Sequence, residues 1–309
     1  MDHISAMLGP HIQIIDQQFA KLCIPNTQLQ HLWGDGRWTE GPVYFADSGQ
    51  LLFSDIPNNR MMRFDERTEL CSIWDHSSDN SNGNTRDRQG RLVSCRHLSR
   101  SVIRIEYDGS TTVLASHYQG KRLNSPNDVV VSGDGAIWFS DPSYGIDSNY
   151  EGIQADSEIG ACYLYRICPD TGGLAAVATD LVQPNGLAFS ADERFLYVSD
   201  TGASHIDNGP RHIRKFSVNQ SELVSSEVFS VCEQGLYDGF RLDSAGNLWC
   251  SAADGVHCLN PAGKLIGKIR IPETVSNLCF GGIHRNRLYI TATTSLYALY
   301  LSTTGLSYF

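Results

Sequence analysis

SGQLLFSD at 48–55, QGRLVSCR at 89–96, DGAIWFSD at 134–141, DERFLYVSD at 192–200, AGNLWCSA at 245–252 and NRLYITAT at 286–293 are six versions of one phrase. Most open on turn residues, and each then runs into alternating apolar and small polar positions rich in aromatic and β-branched side chains. That pattern describes a strand entered through a hairpin. Upstream of each phrase stands one polar residue: Glu40, Asn82, Asn127, Asn185, Asp238 and Asn277. A strand phrase that returns roughly every forty to sixty residues is the mark of the four-stranded blades of a β-propeller. The fold expected is therefore all-β, a six-bladed propeller whose blades start near residues 40, 82, 127, 185, 238 and 277. Six blades bring the six upstream residues to one ring around the central axis.

The neighbouring sequence fills in the blades. Third strands recur as RMMRFDE, SVIRIEYDG, CYLYRICPD, IRKFSVN, GVHCLNPAG and SLYALYLST, and outer strands as CSIWD, TVLAS, AAVAT, SEVFS and IGKIR. The last blade has no outer strand after it. QLQHLW at 28–33 resembles the missing strand, so an N-terminal strand is expected to pair with the C-terminal blade and hide the open edges. The repeats occupy nearly all of the chain, which reads as one domain over 1–309 with residues 1–27 as an extension. Helix is expected only near the start, where IQIIDQQFAKL at 12–22 has some helical spacing, and briefly in long loops.

Composition sets the class. Of 309 residues, 41% are hydrophobic and 19% charged, ample for a globular core. A net charge of −10 argues against a nucleic-acid surface and is compatible with a bound cation. The nine cysteines are scattered, odd in number and free of any CxxC pair, which suggests buried reduced thiols. The N-terminus carries no basic, apolar and cleavage-site succession, and no apolar run is long enough to span a membrane. A cytoplasmic protein without membrane or nucleic-acid partners is expected.

The propeller reading also says where chemistry gathers. Residues that open the inner strands and residues that end the second strands share one mouth of the channel. The second group includes Asp55, Asp141 and Asp200. The loops DPSYGIDSNYEGIQADSEIG at 141–160 and DTGASHIDNGPRH at 200–212 overhang the same mouth. Glu40 and Asp238 offer two carboxylates, and Asn127 and Asn185 two neutral amide oxygens. Hard oxygen donors suit Ca²⁺ or Mg²⁺ and accommodate Mn²⁺, whereas a ring without histidine or cysteine fits Zn²⁺ less well. Asn-Gly, Asn-Asp and Asp-Gly are also turn-forming pairs. Four oxygen donors in matching register of four repeats favour a metal site over four unrelated turns.

WTEGPVYF at 38–45, LNSPNDVVVSGDGAIWFSDPSYGI at 123–146, QPNGLAFSADERFLYVSD at 183–200 and YDGFRLDSAGNLWCS at 237–251 resemble the SMP-30/gluconolactonase/LRE-like (regucalcin) family, in its bacterial gluconolactonase branch. The resemblance covers about residues 30 to 300. It implies a six-bladed propeller with one divalent metal in the channel, Ca²⁺ first and Mg²⁺, Mn²⁺ or Zn²⁺ as alternatives. It implies Glu40, Asn127, Asn185 and Asp238 as ligands, with Asp128 as a neighbouring carboxylate that orients one of them. Asp141 and Tyr144 match a segment that lines the mouth. The activity implied is hydrolysis of a sugar lactone such as glucono-1,5-lactone to gluconate. In that chemistry Asp238 is the first choice of general base and Glu40 the alternative. Asn82, Tyr144 and His205 are candidates for substrate hydroxyls; His76, His97 and His212 also fall near the mouth. The chain lacks the RFNDGK-like stretch of the animal proteins, so their substrate contacts do not carry over. An organophosphate or ester hydrolase on the same site, and a non-enzymatic calcium- or ligand-binding propeller, are the competing readings. No Gly-x-Ser-x-Gly segment points to an acyl-enzyme.

Overall fold

The computed structural model describes residues 8–306. Six antiparallel sheets stand around a channel, five of them with an inner, second, third and outer strand in sequence order. The inner strands are Thr39–Phe45, Ser81–Arg86, Val129–Val131, Pro184–Phe189, Phe240–Leu242 and Val275–Gly281. The six sequence phrases form the second strands, as the alternation requires: Gln50–Asp55, Leu92–Arg96, Ile137–Asp141, Phe195–Asp200, Leu248–Ala252 and Arg287–Ala292.

Closure follows the expectation. Gln30–Gly34 pairs antiparallel with Ser295–Tyr300, setting His31 opposite Tyr297 and Gln30 opposite Ala298. The first and last parts of the chain thus share one blade, and further bridges join Cys23 to Leu301 and Asp243 to Gly305.

The N-terminal segment corrects the sequence reading. Ile12–Ile14 is a strand added to the outer edge of blade five, with Ile12 opposite Ile269, and helix is confined to Gln17–Ala20. Blade five had an outer strand with free backbone groups, and pairing to it outweighs the weak helical spacing. Asp16 caps the short helix through its side chain, which accepts from the Gln18 N–H at 3.0 Å. Residues 1–7 of the expected extension lie outside the described residues.

Between blades the core is aromatic and aliphatic. Trp138 of blade three meets Phe189 of blade four edge to face at 5.5 Å. Leu51 and Phe53 of blade one pack in one cluster with Tyr289, Leu296 and Ala298 of the closing blade. Each fully buried Phe or Leu contributes about 2 kcal/mol. This stiff wheel fixes the distances among the inner strands, on which the site depends. All nine cysteines are free thiols. Among the described residues no helix is long and apolar enough to cross a membrane.

Candidate metal and substrate site

Four of the six inner strands are irregular at the ring position. The pairing register slips between Glu40 and Val43, between Ser81 and Asn84, between Pro184 and Leu187, and between Val275 and Asn277. A bulge re-aims a side chain that a regular strand would send into the sheet. The glycine after the ring residue has a packing reason. A Cβ on Gly83 would stand 2.4 Å from the Asn127 carbonyl oxygen, and one on Gly186 2.2 Å from that of Asp238. The Gly83 N–H donates to the Asn127 carbonyl at 2.7 Å, and the Gly186 N–H to the Asp238 carbonyl at 3.1 Å. Neighbouring inner strands touch here, so Asn-Gly marks a close approach of blades.

In four of the six second-strand phrases a hydroxyl braces the ring. Ser54 Oγ donates to the Asn82 carbonyl at 2.7 Å, Ser199 Oγ to the Asp238 carbonyl at 2.9 Å, and Thr291 Oγ1 to the Asn277 carbonyl at 3.1 Å. Ser251 Oγ accepts from the Asp238 N–H at 2.8 Å. All four hydroxyl residues are fully buried. The repeated FSD, VSD and CSA triplets carried this signal, but the alternation that reveals the strands does not reveal it.

The ring opens onto a cavity of about 310 Å³ whose wall includes Glu40, Asn82, Asn127, Asn185 and Asp238. Glu40 and Asn127 are almost fully buried, and Asp238 keeps some surface toward the cavity. Both hydrogen bonds to the Glu40 carboxylate, from the Gly41 N–H and from Asn277 Nδ2, fall on Oε2. Burial, then the charge of Asp128, pushes the Glu40 carboxyl well up from its usual range. Burial, then the charges of Glu40, Glu151 and Asp128, pushes Asp238 the same way. These acids confront one another at the cavity wall, which is costly without positive charge.

The Asp128 carboxylate departs from the expected role. Its Oδ1 accepts from the Val129 N–H at 2.9 Å, and its Oδ2 faces Arg241 Nη1 at 3.6 Å. It acts on the ring through its charge; among the described residues it makes no hydrogen bond to a ring side chain. Asp141 is likewise placed in the fold and not against the cavity. It is fully buried, and its two oxygens accept from the N–H groups of Asn124 and Ser125 at 2.8 and 2.9 Å. Asp200 holds Val182 and Gln183 in the same way, and Asp55 holds Arg37. These three aspartates staple the segment that leads into each inner strand.

Tyr144 does reach the cavity, from the short helix Tyr144–Asp147. Its hydroxyl lies 2.7 Å from Thr201 Oγ1 and 2.8 Å from Ser204 Oγ, across the two long loops. Burial pushes its phenol pKa up. His205 sits behind it: Nδ1 is 2.7 Å from Ser204 Oγ and Nε2 is 2.7 Å from Asp147 Oδ2. His205 therefore latches one loop to the other and is outside the cavity wall. Glu151 was not singled out by sequence, because it lies in a long loop without periodicity. The structure puts it in the cavity wall, where burial, then the charge of Asp147, raises its carboxyl to about 7.

The donor set fits a hard divalent cation. Two buried carboxylates need compensating charge, and Asn127 and Asn185 in the same wall offer neutral oxygens. Among the described residues no three His, Cys, Asp or Glu gather as metal ligands.

The family model described as SMP-30/Gluconolactonase/LRE-like region matches residues 38–294. The chain is similar to a gluconolactonase of Zymomonas mobilis, with 30% identity over 289 residues that span 83% of this chain and 76% of that protein. Among solved structures, XC5397 from Xanthomonas campestris, described as a gluconolactonase, superposes with a TM-score of 0.87 at 36% identity, covering 94% of each chain. A calcium-binding protein, regucalcin, from Agrobacterium tumefaciens has a TM-score of 0.75 at 16% identity, covering 90% of this chain and 95% of that one, and shares the fold.

Proposed function

The chain belongs to the SMP-30/gluconolactonase/LRE-like family, and we propose that it hydrolyses the ester bond of a sugar lactone, glucono-1,5-lactone to gluconate being the leading case. The observation that carries this reading is the pair of buried carboxylates, Glu40 and Asp238, in the wall of a cavity with neutral oxygen donors beside them.

Glu40, Asn127, Asn185 and Asp238 would hold one divalent cation, Ca²⁺ before Mg²⁺, Mn²⁺ or Zn²⁺. Bound there, the cation would supply positive charge that favours the negative charge developing on the lactone carbonyl oxygen. Asp238 takes a proton from the attacking water as the new C–O bond forms. The ring C–O bond then breaks, and the ring oxygen leaves as an alcohol by taking the proton that Asp238 had accepted. The carboxamides of Asn127 and Asn185, fixed on stiff inner strands, orient the cation and the carbonyl. Tyr144 and the two joined loops limit access of bulk water.

The test is a pH-indicator assay on a panel of aldonolactones, with the spontaneous rate subtracted. Acid release well above background on an aldonolactone supports the reading. Background rates on every lactone, with turnover of an organophosphate or simple ester instead, would replace it.

A further inference from the structure

His97 is a buried histidine behind the cavity wall, in contact with the wall residue Asn82, and its ring has one consistent hydrogen-bonding arrangement. It sits just past the second strand of blade two, at 1% exposure. Nδ1 lies 3.1 Å from the Glu151 carbonyl oxygen, and Nε2 lies 3.2 Å from Asn82 Nδ2. The carbonyl oxygen can only accept, so Nδ1 carries the proton. Burial holds the ring neutral, with its pKa lowered to about 4, so Nε2 is bare and must accept. A bare Nε2 selects the amide end of Asn82, not the carbonyl end. The Asn82 carboxamide is thereby turned one way.

The other end of that carboxamide is unfinished. Asn82 is 3% exposed and lines the cavity, yet its Oδ1 has no hydrogen-bond donor in the protein. A buried acceptor without a partner costs about 1–3 kcal/mol, a cost that an occupant able to donate would remove. The loop over the cavity is built around the same histidine. A Cβ on Gly145 would stand 2.5 Å from the His97 ring, so glycine lets the loop settle on it.

We propose that His97 is a positioning residue that fixes the Asn82 carboxamide so that Asn82 Oδ1 accepts a hydroxyl of the bound lactone. This rests on the lactonase reading and adds a basis for selecting a hydroxylated ring over a bare one. A site built to pair a hydroxyl discriminates against the analogue that lacks it.

The experiment compares kcat/KM on glucono-1,5-lactone and on δ-valerolactone, which has no hydroxyl, for the wild type, His97→Leu and His97→Gln. Leucine removes both hydrogen bonds. Glutamine can accept from Asn82 and donate to the Glu151 carbonyl. The expected result is that His97→Leu lowers the preference for the hydroxylated lactone about tenfold, mainly through KM, and that His97→Gln restores most of it. An equal loss on both substrates, or an unchanged preference, overturns the inference and leaves His97 as a packing residue. If His97→Leu fails to fold, Asn82→Leu deletes Oδ1 directly, and an unchanged preference there overturns the inference equally. A wild type inert on every lactone of the panel overturns the lactonase reading and this inference together, whereas an active wild type isolates the inference.

Discussion

Asn277 Nδ2 donates to Glu40 Oε2 at 2.9 Å, a bond between the last inner strand and the first, 237 residues apart in the chain. The carboxamide cannot turn freely, because its Oδ1 accepts from the Leu278 N–H at 2.8 Å. Closure of the propeller and orientation of its buried glutamate are therefore one arrangement. The Oε1 oxygen of Glu40 takes neither bond and is left for the channel.

Replacing that donor should loosen Glu40 without removing it. Asn277→Leu is expected to weaken calcium binding by about ten- to a hundredfold, the usual effect of losing a residue that orients a ligand. Isothermal titration with Ca²⁺ reads this directly. Affinity equal to wild type would mean that Asn277 only packs.

The hydroxyl braces should matter for stability. Ser199→Ala leaves the Asp238 carbonyl without the 2.9 Å bond from Oγ and should cost about 1–2 kcal/mol in urea unfolding. It should also disturb catalysis more than the size of the change suggests, since Asp238 is the proposed base. A variant with wild-type stability would show that solvent replaces the bond.

His97 should leave a mark on the acid limb of stability. Its pKa falls from an ordinary 6.5 to about 4 in the fold because burial disfavours the charged ring. Between those values the unfolded chain binds the proton and the folded one does not, so stability rises with pH. The full benefit is present above pH 6.5 and is lost as pH falls toward 4. Wild type should lose about 2 kcal/mol more than His97→Gln between pH 7 and pH 4.5. The hydrogen bond from His97 Nδ1 to the Glu151 backbone carbonyl, 3.1 Å long, works against the shift. Parallel stability curves for the two proteins would contradict the burial argument.

Much of this architecture was legible before the structure, and the reasons are local. The six phrases announce themselves because a strand with one face in a blade interface must alternate, and QLQHLW stands out because the last blade lacks a partner strand. The ring register was readable because each polar residue stands seven to nine residues before its phrase. The role of Ile12–Ile14 was not, since three apolar-patterned residues suit a helix or a strand until a free edge such as that of blade five is available. Asp141 and Asp200 looked like mouth residues because they end second strands, but backbone N–H groups folding back upon them take their oxygens. Glu151 and the Asp128–Arg241 pair depend on which loop or blade faces which, and no periodicity encodes that.

Glu40 and Asp238 are proposed to share a divalent cation that the reaction requires. The most direct measurement follows lactone hydrolysis by chelator-stripped protein as Ca²⁺, Mg²⁺, Mn²⁺ or Zn²⁺ is returned, alongside Ca²⁺ binding, for wild type, Glu40→Gln and Asp238→Asn. Stripped wild type should fall to the spontaneous rate and recover with added Ca²⁺. Both variants should stay at background, with Glu40→Gln melting higher than wild type when both are stripped, because one of two buried acids that oppose each other's ionisation is gone. Full hydrolysis by stripped wild type, or by a folded Glu40→Gln protein, would contradict that requirement.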